Sequence, residues 1–222
     1  MTGENAVAAN ANPVIARHGW PLLTLLLLLA VLARMYVGWA PAVVLLALAA
    51  VAAFLFRDPR RVIPPVPLAV VSPASGELTA VDTVYDPWLK RQAVRCGVRM
   101  YLWDVHSLRS PIEGKVMDQW TARNPEPGVR RRYTYWIRTD EGDDVTLSIA
   151  AGWLGLLPRI HLYCGERAGQ GHPCGFLFFA GLVEVYVPEN TRLEVKPGQH
   201  VDSGAVILGR LVHNPAAASA AT

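Results

Sequence analysis

Two stretches without a charged residue, 20–33 and 35–56, separated only by Arg34, limit what this chain can become more than any other feature. Side chains this uniformly apolar gain nothing from water, so such runs end in lipid or in a protein core. At 1.5 Å per residue the second run is long enough as a helix to cross a hydrocarbon layer of about 30 Å, whereas the first either spans or only dips in. Gly38-Trp39-Ala40-Pro41 lies between them and supplies turn chemistry with an interfacial aromatic, which predicts a transmembrane helical hairpin over 20–56. A hairpin returns both ends to one side. Arg57, Arg60 and Arg61 follow the second run while only Arg34 lies near the turn, so the positive-inside rule puts both ends in the cytoplasm, at the cell inner membrane. A signal peptide is the rival reading of Arg17 and the leucine run, but no good cleavage site precedes the second run.

The remaining length of this 222-residue chain allows one ordinary domain beside the anchor. A net charge of +3 favours a phospholipid membrane as partner and gives no case for nucleic acid, which calls for basic residues gathered on one face. Three cysteines, an odd number in a chain this long, argue for reduced thiols over a disulfide scaffold. Residues 1–19 read as a disordered leader and 214–222 as a flexible tail.

From 57 to 213 the pattern becomes short apolar alternations punctuated by Gly, Pro, Asp and Asn, which predicts a mainly β domain. Strands are expected at 68–71, 77–84, 93–102, 114–120, 132–139, 144–150, 158–163, 176–187 and 192–195. Asp140-Glu141-Gly142-Asp143 and Lys196-Pro197-Gly198-Gln199 read as hairpin-type turns. The glycine spacing of 197–209 is that of a lipoyl-like half-sandwich without the cofactor-carrying lysine, and reads as structural.

Four segments in order carry a resemblance. They are 56–61 (Phe-Arg-Asp-Pro-Arg-Arg), 72–76 (Ser-Pro-Ala-Ser-Gly), 103–111 (Trp-Asp-Val-His-Ser-Leu-Arg-Ser-Pro) with Gly114-Lys115-Val116, and 175–188 (Gly-Phe-Leu-Phe-Phe-Ala-Gly-Leu-Val-Glu-Val-Tyr-Val-Pro). Together they resemble the short bacterial and archaeal phosphatidylserine decarboxylases. The resemblance implies that family's β fold and a proenzyme that cuts itself at a Gly-Ser bond. The serine becomes a pyruvoyl ketone, which forms a Schiff base with the lipid amine and draws electrons as carbon dioxide leaves. The family's Phe-Gly-Ser falls on Phe179-Ala180-Gly181, its aspartate in Ser-Pro-Ala-Asp-Gly on Ser75, and its histidine on His106. Glycine at 181 has no hydroxyl to attack or eliminate, and no Ser, Thr or Cys occurs between Cys174 and Thr191. Cys174 lies several residues upstream of the matched position. No pyruvoyl is therefore expected, and a vestigial His106 without nucleophile or carboxylate cannot form a Ser-His-Asp relay.

Each other candidate has two readings. His106 is a remnant acid or base, or a packed hydrogen-bonding side chain. Asp104 caps its turn or acts in a site. Arg109 grips a lipid phosphate or carboxylate, or forms a structural ion pair. Arg130, Arg131 and Arg132, beside Tyr133, Tyr135 and Trp136, contact an anionic membrane surface or form a solvated loop. His161, Cys164, His172 and Cys174 suit zinc by type, yet the spacing is not a standard one, so no metal is expected. The expected function is a membrane-anchored, decarboxylase-like protein of phospholipid metabolism that binds phosphatidylserine or a related aminophospholipid, an active homologue, or itself. The alternative is an active decarboxylase.

Overall fold

The computed structural model describes residues 15–16, 19–59, 61–123, 131–151, 158–178 and 180–212. The chain divides into two units, 1–60 and 61–222.

In the first unit, helices α1 (Trp20–Tyr36) and α2 (Trp39–Leu55) form a hairpin. The turn falls at Gly38, whose φ of +131° is a conformation that side chains rarely adopt. Pro41 sits in the first turn of α2, where no intrahelical N–H is lost. Leu23 and Ala30 of α1, and Ala42, Ala49 and Ala52 of α2, are buried. Small side chains on α2 let the helix backbones approach closely. Ile15 bridges Arg57 and Ala16 N–H donates to the Phe56 carbonyl at 2.8 Å, so the segment entering α1 is tied to the segment leaving α2. The break at Gly38 corrects the expected long second span: each helix has 17 residues, about 25 Å at 1.5 Å per residue. Among the described residues no helix is long and apolar enough to cross a membrane.

The second unit is built from antiparallel strands. Its main sheet contains β2 (Gly76–Asp86), β3 (Arg91–Met100), β5 (Gly114–Arg123), β6 (Arg131–Arg138), β7 (Asp144–Ala151), β9 (Arg167–Ala168), β11 (Gly181–Pro188) and β13 (His200–Val201). Their order is β13-β2-β3-β11-β7-β6-β5-β9. Two three-stranded sheets complete it. One runs β1 (Ala69–Val71), β14 (Ile207–Arg210), β12 (Arg192–Leu193), and the other β4 (Ser107–Arg109), β10 (Pro173–Phe176), β8 (Arg159–Ile160).

Period-two alternation produces the core. Leu78, Val98, Val183 and Ile149 align across four strands on one face, followed by Cys96, Val185 and Leu147, and all are buried with Leu108, Ile112 and Leu177. The opposite face is polar. There Glu184 is held by Arg95 and Arg132, and Thr134 donates to Ser148 at 3.3 Å.

Several strand expectations are corrected. The run 176–187 is broken into β10 and β11 around Ala180, whose φ of +76° cannot continue a strand. The 158–163 strand shortens to β8, and 192–195 to β12. The turn with Gly142 at φ +92° does join β6 to β7. The turn at Gly198 is not a hairpin, because β12 pairs with β14 while β13 pairs with β2.

Candidate functional site

Strand register brings three of the positions singled out in the sequence to one end of the main sheet. Gly76 opens β2 beside the end of β3, so closely that a Cβ there would lie 2.1 Å from the Arg99 carbonyl oxygen and 3.1 Å from the Met100 Cα. Only glycine fits this approach, which fixes Ser75, one residue earlier. Gly181 opens β11 directly opposite Met100 on one side and Ala151 on the other. Ser75 and Gly181 therefore flank the end of β3, about two strand spacings, or roughly 10 Å, apart. His106 lies in the connection from β3 to β4, and its carbonyl accepts the Leu177 N–H at 2.9 Å. Its ring is buried, 5.9 Å from the Phe176 ring.

Ser75 is buried in a layer of hydroxyls. Its Oγ accepts the Ser203 N–H at 3.1 Å, and the Ser203 Oγ lies 3.3 Å from both the Pro73 and Ser107 carbonyls. Ser72 donates to the Ala74 carbonyl at 2.7 Å. The Ser72–Gly76 turn is thus stapled to the turn before β14 by neutral hydrogen bonds. Ser203 was not legible in the sequence: it lies 128 residues from Ser75, inside a stretch that reads as structural.

The segment at 180–181 is tight. Ala180 adopts a left-handed φ that costs a non-glycine residue roughly 1–2 kcal/mol. A Cβ on Gly181 would lie 2.6 Å from both the Ala150 carbonyl oxygen and the Leu177 Cδ2. Leu177 thus fills the space a side chain at 181 would need. Phe179 lies outside the described residues.

Arg109 is inside the fold. Its backbone N–H donates to Pro73 at 2.9 Å, its Nη1 donates to the Gly171 carbonyl at 3.1 Å, and its Cδ leaves no room for a Cβ on Gly204. Asp104 caps its own turn, accepting the Tyr101 N–H at 2.7 Å. Of the basic cluster, Arg130 lies outside the described residues and Arg131 is exposed. Arg132 turns onto the sheet, pairing with Glu184 and donating to Ser148 at 3.2 Å. Glu184, buried at 4% exposure, was not anticipated because its partners Arg95 and Arg132 come from distant strands.

His161, Cys164 and His172 are exposed and Cys174 is buried. Among the described residues no three His, Cys, Asp or Glu side chains converge as a metal site would require. Burial pushes the Cys174 thiol up to about 12, despite the nearby Arg109 guanidinium, and does the same to Cys96. Chemically, this end of the sheet offers a buried imidazole, a hydroxyl at Ser75 and no side chain at 181.

Known proteins resemble this chain along most of its length. The family profile described as Phosphatidylserine decarboxylase matches residues 48–209. The phosphatidylserine decarboxylase proenzyme of Nitrosomonas eutropha is 37% identical over 205 residues, covering 89% of this chain and 95% of the relative. That of Nitrosomonas europaea is 36% identical over the same coverage, and that of Aromatoleum aromaticum 32% identical over 90% of this chain and 97% of the relative. No solved structure matches. The chain belongs to the phosphatidylserine decarboxylase family.

Proposed function

We propose that this chain is a membrane-held member of the family that binds phosphatidylserine or a related aminophospholipid without making a pyruvoyl group. The observation that carries the proposal is Gly181. In the motif alignment it occupies the position of the serine that cleaves and becomes the ketone, and it has neither a hydroxyl nor room for one. The residues here do not fit formation of the group. Ser75 at the family's aspartate position supports the same reading, since its hydroxyl is engaged with Ser203 and carries no charge to orient an imidazole. Of the two roles open to Arg109, its burial against Gly171 and Gly204 supports the structural one.

Membrane attachment rests on the helical hairpin. Outside the seam its large apolar side chains face outward, as at Leu28 and Val44, both more than half exposed. A surface of this kind is stable only against lipid or protein. With helices about 25 Å long the hairpin either enters the bilayer without crossing it or sits in a locally thinned one. We assign it to the inner membrane, with the β unit on the cytoplasmic side. An active homologue or a second copy is the further partner this reading admits.

The names of the relatives favour the alternative, an active decarboxylase. Intact mass of the detergent-purified full-length chain, with and without a carbonyl-reactive hydrazide, separates the two. One uncut, unreactive species is expected. Two fragments with a hydrazide-reactive terminus would refute the loss of pyruvoyl. Lipid binding is read separately: phosphatidylserine at a hundredfold its dissociation constant should stabilise the protein by about 2.7 kcal/mol.

A further inference from the structure

The connection from β3 to β4 presents an unusual combination: a well-held turn whose tip is apolar. Tyr101 N–H donates to the Asp104 carboxylate and Asp104 N–H donates back to the Tyr101 carbonyl at 3.1 Å. The Tyr101 ring stacks on Trp103, centroids 6.0 Å apart, while its hydroxyl donates to Glu77 at 3.0 Å. Asp104 is buried, yet Leu102 is 46% and Trp103 65% exposed. The Tyr101 and Asp104 N–H groups and the Tyr101 hydroxyl are thus already paired, so transferring the tip out of water strands none of these three donors.

We propose that Leu102 and Trp103 form a bilayer-contact element that seats this end of the sheet against the lipid headgroup boundary. The proposal rests on the reading that the protein works on a lipid in a membrane. Position supports it, because the turn ends at His106 and starts at Met100, the residue that both Gly76 and Gly181 abut. Size argues against a protein partner. A leucine and a tryptophan bury at most about 400 Å² between them, roughly half of what one side of a stable protein interface needs. An interfacial contact on a protein already tethered needs no such area. Tryptophan and tyrosine also suit the headgroup level, where one part of the ring is dry and another wet.

The test uses the full-length chain in a Cys164→Ser background, which leaves only the buried thiols Cys96 and Cys174. Trp103→Cys carries an environment-sensitive nitrobenzoxadiazole label, with Glu141→Cys as a control on the β6–β7 turn. Both are reconstituted into vesicles containing spin-labelled lipid, with and without phosphatidylserine. The label at 103 is expected to shift its emission to the blue and be quenched at least twofold more than the label at 141. Equal quenching at the two positions overturns the proposal. So does a blue shift that appears in detergent in proportion to protein concentration, which would mean contact between copies. Quenching at 103 that is independent of phosphatidylserine, with no stabilisation by that lipid, keeps the membrane contact and discards the lipid-binding reading instead.

Discussion

Adding one methyl group at position 181 is expected to lower the stability of the protein by about 1–2 kcal/mol. Two effects oppose each other. Gly181 does not have a positive φ, so alanine would ordinarily stabilise a strand residue by about 0.4–1 kcal/mol through the unfolded chain. Against this, the new Cβ meets the Ala150 carbonyl oxygen and the Leu177 Cδ2, each at 2.6 Å. The leucine terminus can rotate away, but Ala150 is paired with Leu182 inside the sheet and its carbonyl cannot. Overpacking of this kind costs about 1–3 kcal/mol, so the clash wins. For a protein this size the net loss lowers Tm by about 4 °C, measurable by thermal denaturation in detergent. Gly181→Ser should lose at least as much and remain uncut. A Gly181→Ala protein that melts at or above the wild-type temperature would refute the steric argument; cleavage of the serine variant would confirm 181 as the cleavage position and refute the claim that the site, with Ser75 in place of the aspartate, cannot support a restored serine.

Other outcomes follow from particular contacts. Ala180→Gly should raise Tm by about 2 °C, since relief of a left-handed alanine slightly outweighs the added unfolded-state freedom; a drop would mean that the alanine methyl packs usefully. Glu184→Ala should cost about 2–4 kcal/mol in urea titration, because it leaves Arg95 and the largely buried Arg132 facing each other. Arg131→Gln should weaken binding to anionic vesicles while leaving Tm unchanged, and Arg132→Gln should do the reverse. In the native protein one thiol, Cys164, should react quickly with an aromatic disulfide reagent at pH 8. Cys96 and Cys174, with pKa values pushed up to about 12 by burial, should react only on unfolding, and the contrast should narrow as pH rises toward that value.

What was legible in the sequence is what local chemistry controls. Val183, Val185 and Val187 alternate with Glu184 and Tyr186 because one face of the strand meets the apolar core and the other meets a buried polar layer, and the strand is legible from that period. Gly38 marked the hairpin turn because few other residues take its backbone angles. Strands of two or three residues, such as β4, β9 and β13, have no period to detect. The break before β11 was hidden because Leu177, Phe178 and Ala180 are as apolar as the strands they separate. The positions of Ser75, His106 and Gly181 are singled out by motif order alone, and the fold sets Ser75 and Gly181 on either side of the end of β3 with His106 in the connection that follows it. Their supports were not found, because Ser203 and Leu177 act through contacts that no sequence spacing encodes. Arg132 was read as a surface charge for the same reason, its partner Glu184 being 52 residues away.

The link through Leu177 and Ala180 also bears on how the protein is made. It joins β10, in one of the small sheets, to β11 at the centre of the large one. A protein that severs its backbone at this point during maturation ends with two pieces whose mutual order was set while they were one. Once denatured, such pieces must find each other by diffusion. If the link stays whole here, the search remains intramolecular, and refolding from denaturant should proceed at a rate independent of protein concentration. The same short connection that leaves no room for a nucleophile would then give this member of the family reversible folding.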